Sequence, residues 1–100
     1  MVVKLIEVVE RRSASSTYDM TYSYSLREVF VNPDQVVCLR EDARMKQSLN
    51  EGKLPAELSS AQQFTKIHMN RGNSGLDIVV VGPPHIIEEK IFKTKQLLKG

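Results

Sequence analysis

The segment spanning residues 64–82 restricts the possible folds of this chain more than any other. Two apolar runs, residues 64–69 and 76–81, flank a segment of Asn, Arg, Gly and Ser residues at positions 70–75. Residues of these types accept the positive φ values and the close approaches that tight turns need. The pattern therefore predicts a β-hairpin. Because the second run contains a single polar residue, Asp77, we expect its strand to be covered on both faces.

The first part of the chain predicts two more strands. Residues 2–10 are rich in Val and Ile, which favours a strand because β-branched side chains lose rotamer freedom in a helix. The polar residues 11–16 are interpreted as an exposed connection. Apolar and polar residues then alternate with a period of two over residues 18–26. This phase changes after Leu26, and a bulge or sharp bend near residues 27–28 would account for the change.

A turn and a fifth predicted strand lie between these strands and the hairpin. The segment 32–34, Asn-Pro-Asp, predicts a turn because Pro33 fixes its own φ and both neighbours can hydrogen-bond to nearby backbone. Residues 35–40 include four successive apolar residues, which indicates a strand buried on both faces. Within it, Cys38 is interpreted as an inert thiol of the core.

Two parts of the chain lack strand patterns. Residues 41–63 contain many charges and few large apolar side chains, so we expect a long insertion loop with one or two short helical turns, near 43–49 and 55–62. The Gly-Pro-Pro sequence at 82–84 ends the hairpin, since proline cannot donate to a strand ladder. An apolar stripe at helical spacing then predicts a C-terminal helix over residues 84–98.

These elements and the composition together predict a fold class. The 100 residues fit one small domain, residues 1–100, and 41% hydrophobic with 26% charged residues is ordinary for a folded soluble chain. Five short, bent strands followed by a helix favour a mainly β fold, a small, partly open five-stranded barrel with a C-terminal α-helix. A single cysteine and the lack of a membrane or secretion signal favour a cytoplasmic protein.

The sequence offers little for catalysis or metal binding. The two histidines, His68 and His85, have no partner at metal-ligand spacing, and no nucleophile–base motif, phosphate-binding loop or zinc pattern occurs. The adjacent Glu88 and Glu89 would point in different directions on a helix, which disfavours joint acid–base action. We therefore expect no enzyme, no cofactor and no metal site.

Two family resemblances add to this interpretation. The segments 27–37, 65–69, 78–81 and 87–91 resemble the small bacterial FlbD-type flagellar proteins, with their "VNPD" turn and strand, hairpin and final helix. The hairpin turn Arg71-Gly72-Asn73 resembles the second signature of Sm-like proteins. That resemblance implies a barrel of the Sm-like type, assembly into rings through edge strands, and RNA contacts from the turn.

The resemblance makes Arg71 and Asn73 candidate RNA-binding residues, with Lys66 on the same rim. The alternative reading of 71–74 is favourable turn chemistry without a ligand. The tyrosines in the alternating strand could stack on bases, or they could belong to a core or a subunit interface. The net charge of +2 does not by itself demand a nucleic-acid partner.

An apolar hairpin exposed at a sheet edge would promote aggregation, and pairing of edge strands between copies of the chain would cover it. We therefore expect a homo-oligomer, a ring if the resemblance holds. The expected interface residues are in the hairpin: Ile67, Met69, Ile78 and Val80. Two functions remain open, a non-enzymatic oligomer that binds RNA and a structural or adaptor protein that recognises a protein partner through residues 41–63.

Overall fold

One antiparallel sheet and two α-helices make up the described part of the chain, residues 2–14, 20–72 and 74–99. The structure is a computed structural model. In chain order the elements are β1 (Val3–Ala14), β2 (Met20–Val31), a 3-10 turn (Pro33–Gln35), β3 (Val36–Glu41), α1 (Ala43–Asn50), β4 (Phe64–Arg71), β5 (Ser74–Val81) and α2 (Pro84–Lys99). The predicted mainly β fold with a C-terminal helix is confirmed.

The five strands lie in the order β2-β1-β5-β4-β3, so β2 and β3 form the two edges and the sheet is not a closed barrel. A long register from Val3 opposite Val31 to Ala14 opposite Met20 joins β1 to β2. The predicted hairpin is confirmed, with β4 and β5 paired from Phe64 opposite Val81 to the turn. The two hairpin units meet where β1 pairs with β5, at Glu7 opposite Val80.

The main core lies between one face of the sheet and α2. Its helix residues, Ile87 and Ile91, are 1% and 7% exposed. The strand residues of the same cluster are Val3, Leu5, Val31, Ile67, Met69, Ile78 and Val80. The predicted helix is thus confirmed, and its buried stripe completes the core.

A second, smaller core lies on the other face of the sheet. It is centred on Val8, Leu54 and Phe64, of which Phe64 is fully buried. Partly buried neighbours from strands and from the 41–63 segment pack against it: Tyr24, Leu26, Met45, Leu49, Leu58, Val79 and Val81. The segment predicted as an insertion loop is therefore a cover for this face. Of the one or two short helical turns expected within it, one forms, as α1, whereas residues 55–62 form non-helical turns.

The two cores explain the change of phase in β2. Leu26 and Tyr24 pack on the second core, whereas Val29 packs on the main core, on the opposite face of the same strand. The register between β1 and β2 is unbroken, so the predicted bulge near residues 27–28 is wrong. The sheet irregularity lies instead in β3, between Val36 and Cys38.

The observed strand boundaries and side-chain exposures correct three further expectations. β1 continues to Ala14, so residues 11–14 belong to a strand instead of a connection. β3 is an edge strand, and its two-sided burial is wrong because Val37 is 59% exposed and Cys38 is exposed. On β5, burial on both faces holds for the half that approaches β1, whereas Leu76 near the turn is 45% exposed. Residues 15–19, which include the start of the predicted alternating strand, lie outside the described residues.

None of the helices formed by the described residues combines the length and the apolar character needed to span a bilayer.

Candidate functional site

Three neighbouring strands bring a group of polar side chains to one patch of the sheet. The patch, called the cationic face below, consists of Cys38, Arg40, Lys66, His68 and Asp77, which line a cavity of about 280 Å³. The register builds it directly, because Arg40 lies opposite Lys66 and Cys38 opposite His68 across β3 and β4. His68 in turn lies opposite Asp77 across β4 and β5.

His68 and Asp77 form a close pair at the centre of this patch. The Nδ1 atom of His68 lies 2.5 Å from the Oδ1 atom of Asp77. The hydrogen bond from the imidazole holds the pKa of Asp77 below its ordinary value, and the positive charges of Lys66 and Arg40 act in the same direction. Both side chains are accessible, with exposed fractions of 44% for the imidazole and 53% for the carboxylate.

Gly75 provides the space in which the imidazole lies. A Cβ atom at this position would be 3.0 Å from Cε1 and 3.3 Å from Nε2 of His68. A side chain at this position would require the imidazole to shift by a few tenths of an ångström. Gly75, the second residue of β5, thus allows His68 to lie over this strand next to Asp77.

Arg40 and Lys66 give the patch its positive charge. The Nη2 atom of Arg40 donates to Sγ of Cys38 over 3.8 Å, and neither cation takes part in any ion pair of the described residues. The cavity is thus lined by two cations and one carboxylate. A pair of cations facing a shared cavity favours an anion such as a phosphate group.

A second groove, of about 340 Å³, adjoins the cationic face and shares Lys66 and Asp77 with it. Tyr24 of β2 and Arg44 of α1 line its far side. Carboxylates also line it, and two of them have partners of their own. Glu7 lies 2.9 Å from Nε of Arg27, and Asp42 accepts a hydrogen bond from the Met45 amide at the start of α1.

The three predicted RNA-binding residues differ in where they lie relative to the cationic face. Lys66 lies in the cationic face. Arg71 ends β4, where its backbone pairs with Ser74 at the hairpin turn. Asn73 lies outside the described residues. The structure therefore brings Lys66 together with Arg40, which the sequence did not single out.

The four predicted interface residues lie inside a single subunit. Their exposed fractions are 0% for Ile67, 8% for Met69, 8% for Ile78 and 0% for Val80, and all four belong to the main core. In the single subunit they leave little exposed surface, although Met69 and Ile78 also line an apolar groove at the surface. The apolar residues that are exposed lie elsewhere, among them Phe30 at 61%.

The site residues that sequence reasoning missed differ in how far the sequence could have indicated them. His68 and Asp77 belong to the two predicted hairpin strands, and a register that pairs Arg71 with Ser74 places them opposite each other. No local sequence pattern indicates Arg40 as a site residue, because its pairing with Lys66 joins two strands that the whole 41–63 segment separates.

The described residues contain no group of three or more His, Cys, Asp or Glu side chains arranged to hold a metal ion. Comparisons with protein-family models, with curated proteins and with solved structures find no match for this chain.

Proposed function

We propose that this protein binds single-stranded RNA, with Arg40 and Lys66 holding a backbone phosphate. The observation that carries the proposal is that these two cations lie opposite each other on adjacent strands and line one cavity. Arg and Lys contacts to phosphates supply most of the affinity of RNA-binding proteins that recognise unpaired strands. Arg40 is exposed and Lys66 is half-buried, and neither forms an ion pair among the described residues.

The neighbouring groove supports a single strand over a duplex. Tyr24, half-buried against the second core, lines the same groove as Lys66, with β1 and β5 between their strands. An aromatic ring in the same groove as a phosphate site suits an unpaired base, because stacking needs a free π-face that a duplex does not offer. A strand that crosses the cationic face would thus have a base at Tyr24 and a phosphate at Lys66.

The proposed architecture behind this function is an open barrel of the Sm-like type. Residues 32–35 are all that separate β2 from β3, yet these strands are at opposite edges of the sheet. In a flat sheet these edges would be about 19 Å apart, given a strand spacing of about 4.8 Å. The short connection, which includes a 3-10 turn, supports strong curling of the sheet, as a partly open barrel requires.

The test is binding of a fluorescent single-stranded RNA with 2′-O-methyl riboses, followed by fluorescence anisotropy at several salt concentrations. Two phosphate contacts would contribute roughly 1.4 to the slope of log K against log salt for a single strand. The double variant R40Q/K66Q should lose that part of the slope and most of the affinity. The matched control K4Q/K93Q removes two exposed lysines elsewhere. It should retain the affinity and the salt slope of the unmodified protein.

Two results would contradict the proposal. The first is no binding by the unmodified protein at about 50 mM salt, where phosphate contacts are strongest. The second is equal affinity of R40Q/K66Q and K4Q/K93Q, which would show that net charge and not the cationic face attracts the RNA. A Tyr24→Ala variant should weaken binding without changing the salt slope, since stacking involves no ion release.

A second candidate function is self-association through an apolar groove. The groove, about 220 Å³ in volume, lies between the end of β2 and the hairpin, and Val2, Phe30 and Leu76 on its walls are 52%, 61% and 45% exposed. Exposed apolar side chains that cluster are typical of protein interfaces. Light scattering at micromolar concentration tests this: the unmodified protein should be oligomeric and F30S should be monomeric, whereas a monomeric unmodified protein would exclude the idea.

A further inference from the structure

We infer that the cationic face also cleaves the RNA it binds, with His68 as the general base that activates a ribose 2′-hydroxyl toward the adjacent phosphodiester. This inference rests on the proposed function, because it needs an RNA phosphate between Arg40 and Lys66. It replaces the expectation from sequence motifs that the chain is not an enzyme, since the structure pairs a histidine with a carboxylate that the motifs did not connect.

The pair fixes which nitrogen of His68 can act as a base. With the Asp77 carboxylate 2.5 Å away, Nδ1 of the neutral imidazole donates its proton to Oδ1. The other nitrogen, Nε2, then keeps its lone pair and accepts a proton. A carboxylate that holds an imidazole in this tautomer and stabilises it once protonated is a recurring arrangement of enzymes that use histidine as a base.

General-base action requires Nε2 to reach a substrate, and the exposure of the imidazole as a whole supports this. The imidazole is 44% exposed and lies over Gly75, whose lack of a side chain leaves room for the Cε1–Nε2 edge. A purely structural histidine would need neither exposure nor an open Nε2. The combination of a fixed tautomer and an exposed ring suits proton abstraction.

The cations are placed to support the same reaction. Lys66 and His68 are two residues apart on β4 and line the same cavity, which puts their Cα atoms about 7 Å apart. A phosphate held by Arg40 and Lys66 therefore has its neighbouring ribose beside the imidazole. The same two cations stabilise the additional negative charge that the phosphate acquires in the transition state.

The step balances without a metal or an oxidant. The 2′-oxygen forms a bond to phosphorus while its proton passes to Nε2 of His68. The bond between phosphorus and the 5′-oxygen of the next nucleotide breaks, and that oxygen takes a proton from water. The imidazolium then returns its proton to solvent. The products are a 2′,3′-cyclic phosphate end and a 5′-hydroxyl end.

The experiment compares an unmodified single-stranded RNA with its 2′-O-methyl counterpart, in the presence of EDTA. The protein should cleave the first, leave the second intact, and produce fragments that mass spectrometry identifies as 2′,3′-cyclic phosphates. His68→Gln should lower the cleavage rate by about 100-fold or more, as loss of a general base does. Asp77→Asn and Gly75→Ala, which disturb the ring without removing it, should lower the rate by more than about tenfold and alter its pH profile.

Binding of the 2′-O-methyl RNA, measured with every variant, separates this inference from the proposed function. Retained binding with no cleavage above that of His68→Gln, purified in parallel, would overturn the inference and leave the proposed function intact. Absent binding and absent cleavage would overturn both. Thermal unfolding followed by circular dichroism should give a cooperative transition for His68→Gln, with a melting temperature lowered only by the small contribution of the exposed His68–Asp77 pair. Should His68→Gln fail to fold, Gly75→Ala makes the same comparison, and a rate equal to that of the unmodified protein would overturn the inference.

Discussion

The carboxylate of Glu7 lies 2.9 Å from Nε of Arg27, at the residue where β1 pairs with both of its neighbours. The Glu7 side chain is only 12% exposed, whereas that of Arg27 is 64% exposed. Glu7 is opposite Arg27 on β2 and opposite Val80 on β5. The ion pair therefore sits at the junction between the two hairpin units, and its acidic member is largely removed from water.

Arg27→Ala should lower the free energy of unfolding by about 1–3 kcal/mol, because it leaves a mostly buried carboxylate without its partner. Urea denaturation measures the change. The matched control is Lys4→Ala, which breaks an exposed pair with Glu28 on the same two strands and should cost less than about 0.5 kcal/mol. Equal losses in the two variants would show that the junction pair contributes no more than a surface pair.

The 41–63 segment should behave as part of the core. Leu54 is 8% exposed and packs with Val8 and Phe64, so Leu54→Ala should lower the free energy of unfolding by about 2–4 kcal/mol. Leu76→Ala removes the same atoms from a side chain that is 45% exposed and should cost about 1 kcal/mol or less. Similar losses in these two variants would mean that the segment does not cover the sheet.

What could be predicted from the sequence is mostly local. The turn at Asn32 and Pro33 and the hairpin of β4 and β5 depend on residues within a few positions of each other, and both are confirmed. The helical turn that became α1 was also visible, since Asp42 directly before it is a good N-cap residue. Each of these features depends on backbone chemistry that neighbouring residues specify.

What could not be predicted depends on contacts between distant segments. The apolar residues of β2 change faces because one end of the strand meets α2 and the other meets the 41–63 segment, so the pattern suggested a bulge that is absent. Cys38 was assigned to a core because its strand is apolar, but only the order of the sheet makes β3 an edge. For the same reason Arg40 was missed as a site residue.

Asp42, the N-cap residue of α1, links this helix to β4, and both elements contribute side chains to the second core. Oδ1 of Asp42 accepts a hydrogen bond of 3.0 Å from the amide of Met45, and the Asp42 amide donates to the carbonyl of Phe64 over 2.9 Å. Asp42→Ala should therefore lower the free energy of unfolding by about 1 kcal/mol. Asp42→Asn should lose much less, since Asn caps helices as well as Asp does. Equal losses in thermal unfolding would show that the charge of Asp42, and not its cap, is what stabilises the protein.

The His68–Asp77 pair should make stability depend on pH in the acid range. The imidazole holds the pKa of Asp77 below its ordinary value, so the folded state favours the ionised carboxylate. That stabilisation is fully present above the unfolded-state pKa, about 3.9 for Asp, and is lost as the pH falls through the lower pKa of the folded state. Urea denaturation should therefore give a difference between the unmodified protein and Asp77→Asn that is constant from about pH 5 to pH 6 and shrinks toward zero below about pH 3.9. His68→Gln should remove the same acid-side change because it takes away the hydrogen bond that lowers the pKa of Asp77. Curves that stay parallel down to about pH 2.5 would show that the imidazole does not stabilise the carboxylate.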